Sequence, residues 1–402
     1  MKQETNGALA GLRVLELATN VAGPFGSTLF AEFGAEVIKV EVPGTGDPIR
    51  KYAPLYNEKS LTWTVIGRNK KSVTLNLRKP KGQELLKRLV EVSDVLVENF
   101  RPGTMEKWGL GYNELKKANP KIIMSRISGF GQDGAYKNRA AFDRIAGGMG
   151  GMTYLTGFQD GPPVRVGLNV CDQIAGLFHA FGTMIALYDR DVRTKSEGQW
   201  IDTSLVESVF RMLEGVIEEY QKLGNIRERV GNQNEVVAPA DNFLTKDGKW
   251  IVFVLTSDTL FERFLKVINR EDLISDPRFK DNISRLKNRD SLHAAIREWI
   301  EQKTLSEVHE RFEEKGIPYG LVYNAKDIYE DPQNRERGNI IEIQDQEIGP
   351  VEMQCVIPKL SATAGKVTSS APILGEHNQE IYGGLLGLTD EEMEALREEE
   401  II

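Results

Sequence analysis

Cysteine is nearly absent: 402 residues hold only Cys171 and Cys355, far apart and without a CxxC pair. No disulfide framework and no thiolate zinc site are encoded, and a reducing, cytoplasmic setting is expected. Histidine is almost as scarce, the four at positions 179, 293, 309 and 377 having no i, i+4 partner and no ligand cluster nearby, so no metal is expected. His179 reads as a packing or capping residue. No GxSxG elbow occurs, and neither cysteine carries the local signature of a thiol enzyme, which removes those hydrolase classes. Positive charge is not in excess either: 51 basic against 59 acidic residues give −8, which disfavours nucleic acid and anionic membrane surfaces as partners. Long apolar runs are missing, since residues 171–190 are broken by Asp172, Gln173, His179 and Asp189 and fall short of the ~18 apolar residues of a span. Residues 1–10 contain no apolar stretch of the signal-peptide kind.

What is present suits a globular chain of two to three domains, with 40% apolar and 27% charged residues. Strand-like runs at 13–18, 36–41, 94–100 and 121–129 alternate with helical patterns at 24–34, 80–92 and 112–118. That alternation predicts an α/β fold with a parallel, doubly wound sheet. A long helix is expected at 172–190, and WIDTSLVESVF (200–210) runs from strand into helix. Residues 206–224 read as one charged amphipathic linker helix. Beyond it, 236–255 forms a hairpin around Asp247–Gly248, and charged helices fill 258–315. The tail returns to β character and closes with an acidic helix at 389–399. The expected layout is a large Rossmann-like domain from 1–205 and 330–402 with a smaller α+β domain at 225–325.

Two motifs invite chemistry. Ala22-Gly23-Pro24-Phe25-Gly26 in the first βα turn, with Glu41 ending the second strand, has the outline of a dinucleotide site. Pro24 and Phe25 break the glycine spacing that pyrophosphate needs, although a phosphate could still meet the helix start. Asp172 sits where an extended segment enters a helix, next to small Ala175 and Gly176. It reads either as an N-cap or as a carboxylate nucleophile.

The stretches GLRVLELATNVAGPFGSTLFAEFGAEVIKVEVPGTGDPIR, GRNKKSVTLNL, SDVLVENFRPGTMEKWGL, NPKIIMSRISGFGQDGAY, AFDRIAGGMGG, TGFQDGPPVRVG and APILGEHNQEI stand in order over residues 11 to about 385. In them the chain resembles the class III coenzyme A-transferases, which include formyl-CoA transferase, carnitine CoA-transferase and α-methylacyl-CoA racemase. The resemblance implies transfer of CoA from an acyl-CoA to a free carboxylic acid through an aspartyl-CoA thioester, with Asp172 as nucleophile, in an interlocked homodimer. It implies that coenzyme A lies along Val21, Ala22, Leu75, Asn76, Asn99, Phe100 and Arg101, with Lys107 and Arg139 as nearby cations. Backbone N–H groups at the start of the Asp172 helix would then face the developing oxyanions. Departures narrow the branch. Val42-Pro43 stands where formyl-CoA transferase has an arginine, residues 225–260 contain no glycine-rich loop, and Phe142 takes the place of the racemase histidine. The alternatives are a racemase or epimerase, disfavoured by Phe142, and a non-catalytic acyl-CoA-binding paralogue, disfavoured by Asp172.

Overall fold

A computed structural model describes residues 7–193 and 197–402, so the first six residues of the stretch read for a signal peptide lie outside it. It divides into two compact units. The larger comprises the described residues up to Met152, Val166–Gly215 and Gln333–Ile402, and the smaller Thr153–Arg165 with Val216–Pro332.

In the large unit, short buried runs rich in Val, Ile and Leu form β1 (Arg13–Glu16), β2 (Glu36–Glu41), β4 (Val95–Glu98) and β5 (Ile123–Ser128), and the more polar β3 (Lys70–Thr74) and β6 (Trp200–Ser204) stand at the two edges. Helices α1 (Ala22–Glu32), α2 (Pro80–Glu91), α3 (Tyr112–Ala118), α4 (Asp143–Met149), α5 (Val170–Val192) and α6 (Leu205–Phe210) lie between and after them. The strands pair in the order β3-β2-β1-β4-β5-β6, every neighbour parallel. The order reverses between β1 and β4, so a crevice opens beyond the carboxyl ends of those two strands, where doubly wound sheets take their ligands.

One face of the sheet packs Ala22, Phe30 and Ala31 of α1 with Ala175, Ala180 and Leu187 of α5. The two helices approach closely because glycines meet there. A Cβ on Gly176 would lie 2.7 Å from the Ala22 carbonyl oxygen, and one on Gly26 2.3 Å from His179 Cδ2. By length and composition α5 is apolar enough to cross a membrane, its best window averaging a hydropathy of 1.4, which departs from the interrupted run expected from the sequence. Here it packs one side on α1 and the sheet, burying Cys171, Ala175, His179 and Thr183. The other side leaves Leu177, Phe181, Ile185 and Tyr188 exposed.

The helix expected over 206–224 is not continuous. It breaks after Phe210, passes through Gly215 at φ +57°, and resumes as α7 (Val216–Leu223) in the small unit. In that unit β7 (Ala240–Leu244), β8 (Trp250–Val254) and β9 (Gly320–Leu321) form an antiparallel sheet in the order β9-β8-β7, with Gly248 at φ +74° in the hairpin turn. Helices α8 (Asp258–Val267), α9 (Arg289–Ile300) and α10 (Leu305–Lys315) cover it, and Phe243, Phe253, Phe264 and Phe312 make its core. The tail adds the hairpin β10 (Ile340–Asp345) and β11 (Gly349–Gln354) to the large unit, held by a buried Lys59–Asp345 ion pair at 2.7 Å. It ends in α11 (Asp390–Glu398), started by the capping box of Thr389 and Glu392.

Candidate active site

At the carboxyl ends of β1 and β4 the chain leaves two loops that grip each other. Thr19 N–H donates to Asn99 Oδ1 at 2.9 Å, and Asn99 Nδ2 donates to the Thr19 carbonyl at 2.7 Å. Together with Ser128 and Gly129 after β5 and Leu205 of α6, these loops enclose a cavity of about 110 Å³ lined also by Asn20, Val21, Ala22, Phe142 and Asp172. A water needs about 10–15 Å³ of such space, so there is room beside Asp172 for several waters or a small acyl group. Two larger hollows, of about 430 and 460 Å³, lie elsewhere on the unit. The first is lined by Arg126, which Glu98 and Glu106 already occupy at 2.7 Å each, and the second lies between α2 and α11. Size therefore does not pick the reactive site.

Asp172 is set by a cap from outside its own helix. The Asp143 carboxylate, at the start of α4, accepts the N–H of Cys171 at 2.8 Å and of Asp172 at 3.3 Å. That displaces the N-cap reading of Asp172, which lies inside the first turn of α5. It also corrects the expectation that these amides serve an oxyanion, because both already donate to Asp143. Among the described residues no cation pairs with Asp172. Burial, and then the charge of Asp143, push its carboxyl up to about 7. The neighbouring Cys171 thiol is raised to about 11, first by burial and then by the two carboxylates, and stays protonated.

A pH prediction follows from this pair. If Asp172 reacts as the carboxylate, turnover rises with pH through about 7, and Asp143→Asn moves the rise to lower pH while its amide oxygen keeps the cap. A pH–rate profile of the variant that is unchanged, or displaced upward, would contradict the coupling.

The residues expected to hold the coenzyme fall into four places. Val21, Ala22 and Asn99 line the cavity with Asp172. Leu75 and Asn76 follow β3 at the same edge of the sheet, but the Leu75 side chain is in the core and Asn76 N–H is tied to the Ile401 carbonyl at 2.7 Å. Phe100 donates its N–H to Glu98 and stacks edge-on against Trp108 at 5.2 Å, with Arg101 and Lys107 exposed on the same turn. Arg139 is exposed and lies over the Tyr136 ring at 4.6 Å. Glu41, the acid of the dinucleotide outline, is buried and taken by Arg50 at 2.7 Å, which leaves it no ribose to bind. His179 packs at the sheet with Nδ1 2.5 Å from Ser125 Oγ, and burial pushes it down to about 4, so it is neutral. Among the described residues no three His, Cys, Asp or Glu side chains are grouped to hold a metal ion.

Two contributors escaped the sequence reading. Nothing local to Asp143 signals that it caps a helix 28 residues away. Tyr52, whose hydroxyl donates to Asn20 Oδ1 at 2.6 Å, sits on a turn with no motif of its own.

Residues 9–378 match CoA-transferase family III. The chain is 44% identical over 395 residues to a succinyl-CoA–D-citramalate CoA-transferase of Chloroflexus aurantiacus, covering 98% of each. It is 41% identical over 398 residues to the beta subunit of a succinyl-CoA–L-malate CoA-transferase of the same organism, again covering 98% of each. Among solved structures, a CAIB/BAIF family protein from Brucella suis superimposes with a TM-score of 0.83 at 32% identity, covering 95% of this chain and 100% of that one.

Proposed function

Because this chain belongs to CoA-transferase family III and is a CoA-transferase of that class, we propose that it moves CoA from succinyl-CoA to a small dicarboxylic acid by covalent catalysis at Asp172. The observation that carries the mechanism is a carboxylate without a cation partner, facing a cavity of acyl size at the reversal point of the sheet. Asp172 attacks the thioester carbonyl of the donor, the C–S bond breaks, and CoA leaves as thiolate from a mixed anhydride. The thiolate attacks the aspartyl carbonyl and releases the donor acid, giving the aspartyl-CoA thioester. The acceptor carboxylate attacks that thioester and expels thiolate again, and thiolate attack on the acceptor acyl carbonyl yields the new acyl-CoA and restores Asp172. One thioester is exchanged for another overall, so the transfer needs no nucleotide hydrolysis.

Oxyanion stabilisation passes to another helix. The first-turn amide of Ala22 in α1 has no acceptor among the described residues, and Ala22 borders the cavity, so this amide is the proposed donor to the carbonyl oxygen as it gains charge. The choice of acids rests on the relatives, whose names give succinyl-CoA with citramalate or malate. Incubation of succinyl-CoA with labelled malate, citramalate and monocarboxylic acids tests it. Transfer confined to monocarboxylates would overturn the dicarboxylate reading. The same mixture in deuterated water separates the epimerase alternative. Phe142 borders the cavity and cannot accept a proton, so no deuterium is expected at the α-carbon of a 2-methylacyl-CoA. A paralogue that only binds acyl-CoA would transfer to no acid at all.

For the coenzyme, the exposed Arg101 beyond β4 is the proposed phosphate ligand, with Lys107 on the same turn. Arg101→Ala is expected to weaken CoA binding by ~1.5–3 kcal/mol, the value of a charge-assisted bond to phosphate. Titration with dephospho-CoA identifies the partner. A smaller loss with that ligand assigns the 3′-phosphate, and an equal loss assigns another group.

The apolar outer side of α5 supports the proposed homodimer, in which a second copy covers Leu177, Phe181, Ile185 and Tyr188. A monomer mass at sedimentation equilibrium would remove it. The two free thiols, Cys171 and Cys355, support a cytosolic location, which fractionation of the source cells would test.

A further inference from the structure

Beneath the cavity lie four buried charges that the chemistry does not use: Glu16, Lys39, Asp47 and Lys70. Glu16 receives Lys39 at 2.8 Å and Lys70 at 2.7 Å, one on each carboxylate oxygen. Lys39 Nζ also stands 2.7 Å from Asp47 Oδ2, an ion pair outside hydrogen-bonding angles. The charges sum to zero, but desolvating four ions is expensive, and apolar residues of similar volume would usually serve stability as well or better. What the cluster holds explains its presence. Lys39 donates to the Ala18 carbonyl at 2.9 Å and Lys70 to the Pro24 carbonyl at 2.8 Å, so it grips both ends of the loop that carries Val21 and Ala22.

Asp47 grips the middle of the same loop. Its Oδ1 accepts the N–H of Asn20 at 3.1 Å, and Asn20 has φ +66°, the left-handed region that L side chains rarely enter. The same oxygen accepts Ile49 N–H at 3.0 Å, capping the 3₁₀ turn Pro48–Lys51 that leads to Tyr52. Tyr52 then closes the ring through its bond to Asn20. One carboxylate oxygen thus fixes the reversal after β1 and the turn packed against it.

We infer that Asp47 is a positioning residue of the transfer reaction: its buried carboxylate holds Asn20 in the left-handed conformation that places the Asn20–Ala22 wall of the cavity against Asp172. The inference rests on Asp172 as the nucleophile. Asp47 touches no substrate, and it acts by geometry, where a displacement of about 1 Å costs on the order of 10²-fold in turnover.

Two double variants separate positioning from stability. Lys39→Met with Asp47→Asn keeps an oxygen acceptor for Asn20, and Lys39→Met with Asp47→Leu removes it. Neither leaves a buried lysine without its partner, and Glu16 keeps Lys70. The Asn version is expected to hold kcat within about threefold of wild type, and the Leu version to lose about thirtyfold or more with CoA affinity within about threefold. Equal kcat in the two, or a loss confined to CoA affinity, would overturn the inference. Should the Leu version not fold, Asn20→Val asks the same question without touching the cluster. A β-branched residue resists φ +66°, and kcat should fall about tenfold at unchanged CoA affinity. Wild-type kcat in that variant would overturn the inference as well. Asp172→Asn run alongside keeps the two readings apart. Transfer by that variant defeats the nucleophile assignment, whereas a difference between the doubles with Asp172→Asn inactive speaks to Asp47 alone.

Discussion

Asp172→Asn yields a protein that binds CoA, melts higher than wild type at pH 8, and transfers CoA at least about 10³-fold more slowly, because the attacking oxygen is gone while the phosphate contacts remain. Asp172→Ala gives the same loss with no side-chain amide to react. The stability gain follows from the raised carboxyl. Between its ordinary value of 3.8 and about 7, the folded protein holds the Asp172 proton that the unfolded chain has released. Stability from this group therefore falls as pH rises through that window, and its full cost stands above about 7. Asparagine removes the cost, so the variant's advantage is present at pH 8 and absent near pH 4. If Asp172 were the N-cap instead, alanine would cost ~1 kcal/mol and much activity would survive. Melting curves at the two pH values with a transfer assay decide between them. An Asn variant that transfers at a near wild-type rate would sink the nucleophile.

Gly176→Val is expected to do comparable damage by another route. A Cβ there lies 2.7 Å from the Ala22 carbonyl oxygen and 2.9 Å from Phe25 Cδ1, so valine forces α1 and α5 apart beside the cavity that Ala22 and Asp172 both line. Overpacking of this kind costs typically about 1–3 kcal/mol, and displacement of the proposed nucleophile from the cavity wall should add a loss of at least about 10²-fold in turnover. Urea unfolding and transfer assays measure the two effects. Wild-type values in both would mean that the crossing is looser than its geometry indicates.

The parallel sheet is legible in the sequence because its strands are short Val, Ile and Leu runs closed by polar or glycine turns, as in EVIKVE at Glu36–Glu41. The helix ends are less so. Residues 206–224 keep an amphipathic pattern straight through Gly215, and only the backbone shows the break. Asp172 stands out as a carboxylate entering an apolar helix beside Ala175 and Gly176, but the residues alone leave it between an N-cap and a nucleophile, and only the resemblance to the class III transferases points to the second. Asp143 could not be found, since its partner amides are 28 and 29 residues away and no periodicity links them. Lys39 did leave a trace, being a cation at an inward position of β2, but its partners Glu16 and Asp47 come together only when the strands pair. Charges buried in this way are visible in sequence as exceptions and intelligible only in three dimensions.

The capping of α5 by a carboxylate from α4 bears on the order in which the enzyme comes into being. A chain made as far as Asn99, just past β4, can form the Thr19–Asn99 clasp and part of the cavity wall before Asp172 is there to face it. Asp172 on an undocked helix would be an ordinary solvated acid, titrating near 3.8 with no fixed carbonyl to attack. Only when α5 settles beside α1 and meets Asp143 is the Asp172 carboxyl pushed up to about 7. The cavity wall is complete only once Leu205 of α6, later in the chain than Asp172, is also in place.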